Sequence, residues 1–438
     1  MRVMKWSALA LAVTAGTTQL AFASAQSDSK GFVDDSSLNL MLRNTYWNRD
    51  YKGAGNDDAK AWAQGFIGTF ESGFTQGTVG FGVDAFGLLG LKLDGGAGTA
   101  GDETMAGLLA AEGSENSKDV RPPRDEWSKA GAAVKVRVSN TVLKYGNMMP
   151  ELPVLAYDTT RLLPQSFTGG LITSNEIEGL ELNLGHFTQE SRMSRSGVDS
   201  GELKSIDVVG GTYQFTDNLN ASLYYSDNDN IAKKKYANVN YTIPLAEEQA
   251  LNFDFNIYKT DYDKSFVQSY TADEDKGDPG IRESRDNTIW SLAGTYSVGA
   301  HSFILAYQQV SGDMGYEYDI GDGGNTLYVA NSYYSDFNQK DEKSWQASYE
   351  LDFAGYGVPG LFWKTAYVYG YDIDVGPGQD EGKEREFFNQ VQYVVQEGAL
   401  KDLSFKARNS IYRNHNDESY SPDVNEWRLF VEYPLDIL

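Results

Sequence analysis

The side chains best suited to chemistry in this sequence are cations at alternate positions of extended stretches. Arg43 and Arg49 fall on one side of SLNLMLRNTYWNRDY (residues 37–51), and Lys135 and Arg137 on one side of KAGAAVKVRVSN (129–140). Lys144, Lys364, Lys406, Arg408 and Arg428 occupy comparable places further on. A guanidinium is planar, holds its charge and grips a carboxylate through two parallel hydrogen bonds. The third contribution is the stretch MPELPVLAYDTTRLLPQSFTGG (149–170), which carries Tyr157, Asp158 and Arg161. Asp158 lies three residues before Arg161, placed either to orient that guanidinium or to oppose it. The chemistry these groups offer is reversible attraction of anions. A unit pair at 4 Å is worth about 1 kcal/mol in bulk water and about 4 kcal/mol at an effective dielectric of 20, so several modest sites suit transit better than one tight one. The competing reading is that the inward cations pair with inward Asp and Glu and hold the fold together.

Bond-making chemistry finds little support. Cysteine is absent, which removes thiol nucleophiles, thiolate metal sites and disulfides. The three histidines, His186, His301 and His415, are far apart, so no metal site and no cofactor is expected. His301-Ser302 has no acid to complete a hydrolase triad. GAGTAG (96–101) has the glycine spacing of a dinucleotide loop without the strand–turn–helix setting that would give it meaning. Acidic runs such as residues 273–278 do not have calcium-loop spacing. Solvated charge accounts for them.

The elements that carry the cations alternate with period two. In residues 37–51, Leu38, Leu40, Leu42 and Tyr46 form one face, while Asn39, Arg43, Thr45, Trp47 and Arg49 form the other. Val134, Val136 and Val138 alternate likewise with Lys135, Arg137 and Ser139. Such alternation sets one face against something apolar and the other against water. It recurs in about eighteen segments down the chain, joined by short turns that mostly alternate with long polar loops such as 264–286, 314–343 and 376–383. Repetition on this scale predicts an all-β, transmembrane, antiparallel up-and-down barrel with turns on one rim and loops on the other. A barrel of this size encloses an aqueous channel. Many strand aromatics, Tyr224, Tyr241, Tyr258, Trp290, Trp345 and Trp427 among them, are candidates for interfacial girdles. Residues 149–170 contain three prolines and too much apolar surface for a loop in water. They are expected to fold inward and narrow the bore; the alternative is a surface loop packed on itself.

The totals agree. Of 438 residues, 62 are acidic and 37 basic, a formal charge of −25 that argues against nucleic acid. Many acids fall in loops, where screening beyond about 8 Å hides them from the bore. Residues 1–25 read as a secretory signal, with Arg2 and Lys5 ahead of an apolar stretch and small residues at the cleavage point. The rest, 26–438, reads as one domain with outer-membrane lipid and lipopolysaccharide around it, as a monomer or loose homotrimer.

Long stretches then carry a family resemblance: GFVDDSSLNLMLRN (31–44), ESGFTQGTVGFGVDAFGLLGLKLDG (71–95), SNTVLKYGNMMPELPV (139–154), RLLPQSFTGG (161–170), YGVPGL (356–361), KDLSFKAR (401–408) and RLFVEYPLDIL (428–438). Over nearly its whole length the chain resembles the OprD family of substrate-specific outer-membrane porins. The resemblance implies an 18-stranded barrel, an inward-folded third loop and a ladder of basic residues guiding small carboxylate-bearing anions. It implies a ladder including Arg43, Arg137, Lys364, Lys406 and Arg408, with Tyr157 and Arg161 at the narrowest point. Within the family the sequence resembles the branch associated with aromatic and other small carboxylates. A non-specific general porin is the alternative function.

Overall fold

Alternating side chains decide which way each strand faces, and backbone hydrogen bonding decides that the sheet must close, because lipid offers no partner to an open edge. The structure, a computed structural model, describes residues 24–53, 58–96, 105–112, 122–201, 203–272, 279–322, 328–376, 378–415 and 422–438. The secretory signal therefore lies almost wholly outside the described residues, as do the acidic run 273–278 and most of the glycine run 96–101.

The strands, in chain order, are β1 (Ser37–Tyr51), β2 (Ala59–Glu71), β3 (Val79–Asp94), β4 (Glu126–Val138) and β5 (Thr141–Met148). A small hairpin follows, β6 (Glu151–Leu152) and β7 (Leu155–Ala156). The barrel resumes with β8 (Ser166–Ile177), β9 (Leu180–Ser191), β10 (Ile206–Thr216), β11 (Leu219–Asn228), β12 (Ala232–Ala246) and β13 (Gln249–Tyr262). After helix α1 (Lys264–Thr271) come β14 (Arg285–Val298), β15 (His301–Gly312), β16 (Lys343–Asp352), β17 (Leu361–Ile373), β18 (Gly382–Val394), β19 (Ser404–His415) and β20 (Val424–Asp436). All but the hairpin form one 18-stranded sheet. It closes where β1 pairs antiparallel with β20, from Asn39 opposite Asp436 to Tyr51 opposite Val424. Among the long loops, 264–286 contains α1, whose first turn is capped by the Asp263 carboxylate accepting from the Ser265 N–H.

Facing out are Phe81, Val134, Leu143, Leu184, Leu223 and Leu305, all exposed and all in strands. In water such a belt would be a severe liability; in a bilayer it is the solvent-facing surface. Trp345, Trp427, Tyr241, Tyr296 and Tyr393 are also exposed, in keeping with a girdle. Tyr224 and Tyr258 are not part of it. Both are buried in the interior, because each sits at a lumen-facing parity of its strand.

The interior is narrowed by loops from the long-loop rim. The third, residues 149–165, leaves β5 and returns to β8, which pair directly from Thr141 opposite Ser174 to Met148 opposite Phe167. Its hairpin puts Leu152, Val154 and Leu155 among Phe167, Phe187, Ile206, Val208, Tyr224, Tyr236, Tyr258 and Ile289 on the inner wall of β8 to β14. Its other end puts Leu162 and Leu163 among Trp47, Ala61, Ala63, Leu88 and Trp127 on the opposite wall. Burying each such side chain is worth about 1.5–3 kcal/mol, which is why this loop crosses the lumen. Gly169 in β8 marks a register shift against β9, where a Cβ would collide with the His186 carbonyl and the Phe187 backbone. Residues 105–112 of the second loop also enter, through Met105, Leu108 and Leu109.

Unlike the polar rim loop that residues 314–343 suggest, the seventh loop (313–342) folds inward too. Tyr316, Asn331, Phe337 and Glu342 are buried. Gln308 donates to the carbonyls of Asp336 and Phe337, each at 2.9 Å.

Candidate functional site

Strands β16 to β20 and β1 form one continuous wall, and strand parity places inward cations on four of them, β17, β19, β20 and β1. Arg408 of β19 stands directly opposite Arg428 of β20, and Arg428 stands opposite Trp47 of β1. Arg43 faces Glu432 and Arg49 faces Glu426 across the same seam. Lys364 of β17 faces Glu350 of β16. Seen from the lumen this is a row running Lys364, Lys406, Arg408, Arg428, Arg43, Arg49.

Carboxylates bind part of the row. Glu432 takes Arg43 Nε at 2.8 Å and Lys406 Nζ at 3.5 Å. Glu426 takes Arg49 Nε at 2.7 Å and Arg428 Nε at 2.6 Å. Glu350 takes Lys364 Nζ at 3.0 Å. Two cations lack such a partner. Among the described residues Arg408 makes no ion pair; its guanidinium lies 5.1 Å from the Phe388 ring centre. Arg161 is the other, and it comes from the third loop.

Arg161 is held by oxygens. Its Nε donates to the Ala106 carbonyl at 2.6 Å and its Nη1 to the Thr160 hydroxyl at 2.7 Å. Thr160 in turn donates its O–H to the Asp158 carboxylate at 2.6 Å. Of the two roles open to Asp158, the geometry is that of an orienting group acting through Thr160. Arg161 also lies 5.2 Å from the Trp47 ring, with Arg428 at 4.0 Å from the same indole. Burial, and then the neighbouring Arg428 charge, bring the Arg161 guanidinium down to about 10, still charged at neutral pH. Arg43 ties the loop to the wall through Nη1 to the carbonyls of Arg161 at 3.3 Å and Thr159 at 3.5 Å. Tyr157 is half-buried in the same turn, its N–H on the Pro150 carbonyl at 2.9 Å. Burial, with Glu151 beside it, pushes its phenol up to about 12, so it is a neutral hydroxyl.

The remaining sequence candidates lie elsewhere. Lys135 and Lys144 both bind Asp84 of β3, Lys135 at 2.5 Å. Arg137, two residues nearer the short turn at 139–140, donates to Gln26 Oε1 at 2.9 Å and covers the Phe74 ring at 4.1 Å. Its partner comes from the segment ahead of β1, which no strand pattern announces. His301 bonds Tyr349 at 2.7 Å and Tyr356 at 3.0 Å, with no carboxylate in place to make a triad. No group of His, Cys, Asp and Glu with metal-binding geometry exists among the described residues.

Several members of the site escape sequence reasoning. Glu426 and Glu432 share strand parity with Arg428, which would have found them, as it placed Trp47 on the face of Arg43 and Arg49. Tyr333 and Tyr334 of the seventh loop have no such signal: Tyr333 stacks on Phe388 at 4.3 Å and lies 5.3 Å from Lys364 Nζ, while Arg49 sits 5.3 Å from the Tyr334 ring. A bore narrowed by loops and lined with ionised side chains has the geometry of a transit path, and comparison with known proteins decides which kind. Residues 30–437 match the outer membrane porin, OprD family. The chain belongs to the OprD family. It is 48% identical to porin D of Pseudomonas aeruginosa, with both chains covered completely. The crystal structure of Acinetobacter baumannii OccAB1 superposes with a TM-score of 0.87 at 40% identity, over 95% of this chain and 100% of that one. Pseudomonas aeruginosa OpdK, crystallised with vanillate, superposes with a TM-score of 0.79 at 31% identity, over 93% and 100%. This OprD-family protein is thus an outer-membrane porin and a channel rather than an enzyme.

Proposed function

We propose that this porin passes small carboxylate-bearing solutes, aromatic acids or amino acids, by diffusion along the basic wall, with residues 1–25 removed on export. The observation that carries the reading is a pair of guanidinia, Arg161 and Arg408, that have no carboxylate partner among the described residues, in a bore narrowed by the third and seventh loops. Like charges gathered in one place destabilise each other until an anion arrives. The paired members of the row matter differently: Glu426 and Glu432 each serve two cations, so a passing carboxylate exchanges with a shared partner instead of breaking a private one. Attraction stays modest because water remains in the bore. The vanillate in the OpdK crystal, one carboxylate on one ring, is the size of solute this reading requires.

Liposome swelling tests it. Benzoate and a small amino acid are expected to permeate severalfold faster than benzamide or a neutral sugar of similar size. Equal rates for benzoate and benzamide would leave a general porin as the better description.

A further inference from the structure

The outer face of β10 to β13 carries a feature that transit does not use. A groove of about 470 Å³ lies on the lipid side, lined by Val209, Leu223, Ala237, Ile257, Lys235 and Lys259 among others. Its shape follows from residue size. Leu223 stands 70% exposed between small neighbours, Gly211 opposite it on β10 and Ala237 opposite it on β12. On β13 the outward positions Phe253, Phe255 and Ile257 are apolar, and the next one toward the long-loop rim is Lys259. On β12 the sequence Tyr241, Val239, Ala237 likewise ends at Lys235. The two lysines are directly opposed in register, with Tyr225 opposite Lys235 on the other side. They therefore sit together at the outer boundary of the apolar belt.

Two ammonium groups side by side at the edge of hydrocarbon are costly without an anion between them. Protein carboxylates answer them only at the limit of pairing distance, Asp261 at 3.5 Å from Lys235 and Asp286 at 3.8 Å from Lys259, and all four side chains are about half exposed. Those aspartates lie one step nearer the rim, in a row that runs Asp207, Asp227, Lys233, Asp261, Asp286 across adjacent strands. Cation pair, apolar trough below and hydrophilic row above follow the order of phosphate, acyl chain and sugar in a phosphorylated glycolipid.

We propose that this groove is a binding site for a lipopolysaccharide molecule of the outer leaflet, one lipid phosphate held between Lys235 and Lys259 and an acyl chain lying over Gly211 and Ala237. The site stabilises the barrel where the third loop packs on the inner side of the same strands. Thermal unfolding of the full-length porin in detergent, with added bisphosphorylated lipid A, tests it. Wild type should gain stability from that lipid and much less from the dephosphorylated lipid or from inorganic phosphate. The K235A/K259A double variant should need at least about tenfold more lipid for the same gain, since the charged hydrogen bonds to the phosphate are lost. Ala237→Trp, which fills the trough and leaves both charges, should show a similar loss, whereas Lys401→Ala on the opposite rim should behave as wild type. Heat-modifiable gel migration and unchanged conductance establish that each variant is folded. Equal lipid response in wild type and double variant, equal loss in Lys401→Ala, or full protection by inorganic phosphate overturns the proposal.

Discussion

Among the described residues Arg161 has no carboxylate in ion-pairing contact, and its direction comes from neutral oxygens: the Ala106 carbonyl and the Thr160 hydroxyl. An arginine neutralised by Asp or Glu has little left for a solute, whereas one held by dipoles keeps its charge available. Thr160 is the hinge of this arrangement, because it accepts from Arg161 and donates to Asp158 with the same oxygen. Thr160→Val, nearly isosteric, removes both bonds and leaves the charge. Since the Ala106 contact survives, anion-to-cation permeability should fall by a few-fold and stay under about tenfold, the equivalent of 1.4 kcal/mol. A reversal potential indistinguishable from wild type in a salt gradient would mean that Thr160 plays no part in aiming the guanidinium.

At the scale of elements, the third and seventh loops enter the bore for different reasons, and this governs what the sequence could tell. The third announces itself: Leu152, Val154, Leu155, Leu162 and Leu163 lie between prolines that forbid a ladder, and burial is the only stable outcome. The barrel strands are as plain, since Leu38 to Tyr46 against Arg43 to Arg49 repeats a pattern that only a two-sided sheet explains. The seventh loop gives no such sign. Its aromatics are scattered among Gly, Asn, Asp and Ser without period, and its seat is built from charges on distant strands. Lys234 of β12 binds Asp322 and, at 3.4 Å, Asp319; Tyr316 donates to Asp322 at 2.8 Å. On the other side Ser335 donates to Glu384 at 2.9 Å, and the N–H groups of Tyr334 and Ser335 reach Glu386 at 3.1 Å.

That seat makes the loop sensitive to acid. Burial, aided by Asp322 and opposed by Lys234, pushes Asp319 up to about 6. Burial also raises Asp336, and burial together with the facing Glu384 raises Glu342. Groups raised above their unfolded values, about 4, contribute most to docking in acid and lose that contribution as pH climbs through the folded values. The loop should therefore be held more firmly at pH 5 than at pH 7.5. Single-channel records should show fewer brief conductance steps at pH 5; more steps in acid would reverse the assigned sign.

For the molecule as a whole, net charge and the proposed function point in opposite directions. The chain carries −25, yet parity sorts Lys364, Lys406, Arg408, Arg428, Arg43 and Arg49 onto one stretch of the inner surface, beside Glu350, Glu426 and Glu432, while many acids lie at the rim. The alternation showed that these side chains point inward. It did not show that Arg43 would brace the third loop, that Lys135 and Lys144 would share Asp84, or that Arg137 would be taken up by Gln26, since each depends on a contact far away in sequence. Arg161 and Arg408, which among the described residues have no carboxylate partner beside the β16–β1 wall, make the central claim accessible to one measurement. Reversal potential across a planar bilayer under a tenfold potassium chloride gradient should have the sign of an anion-preferring channel in the wild type. In R161E/R408E that sign should be abolished or inverted, with conductance retained. An unchanged reversal potential in the double variant would contradict the account of an anion path along the basic wall.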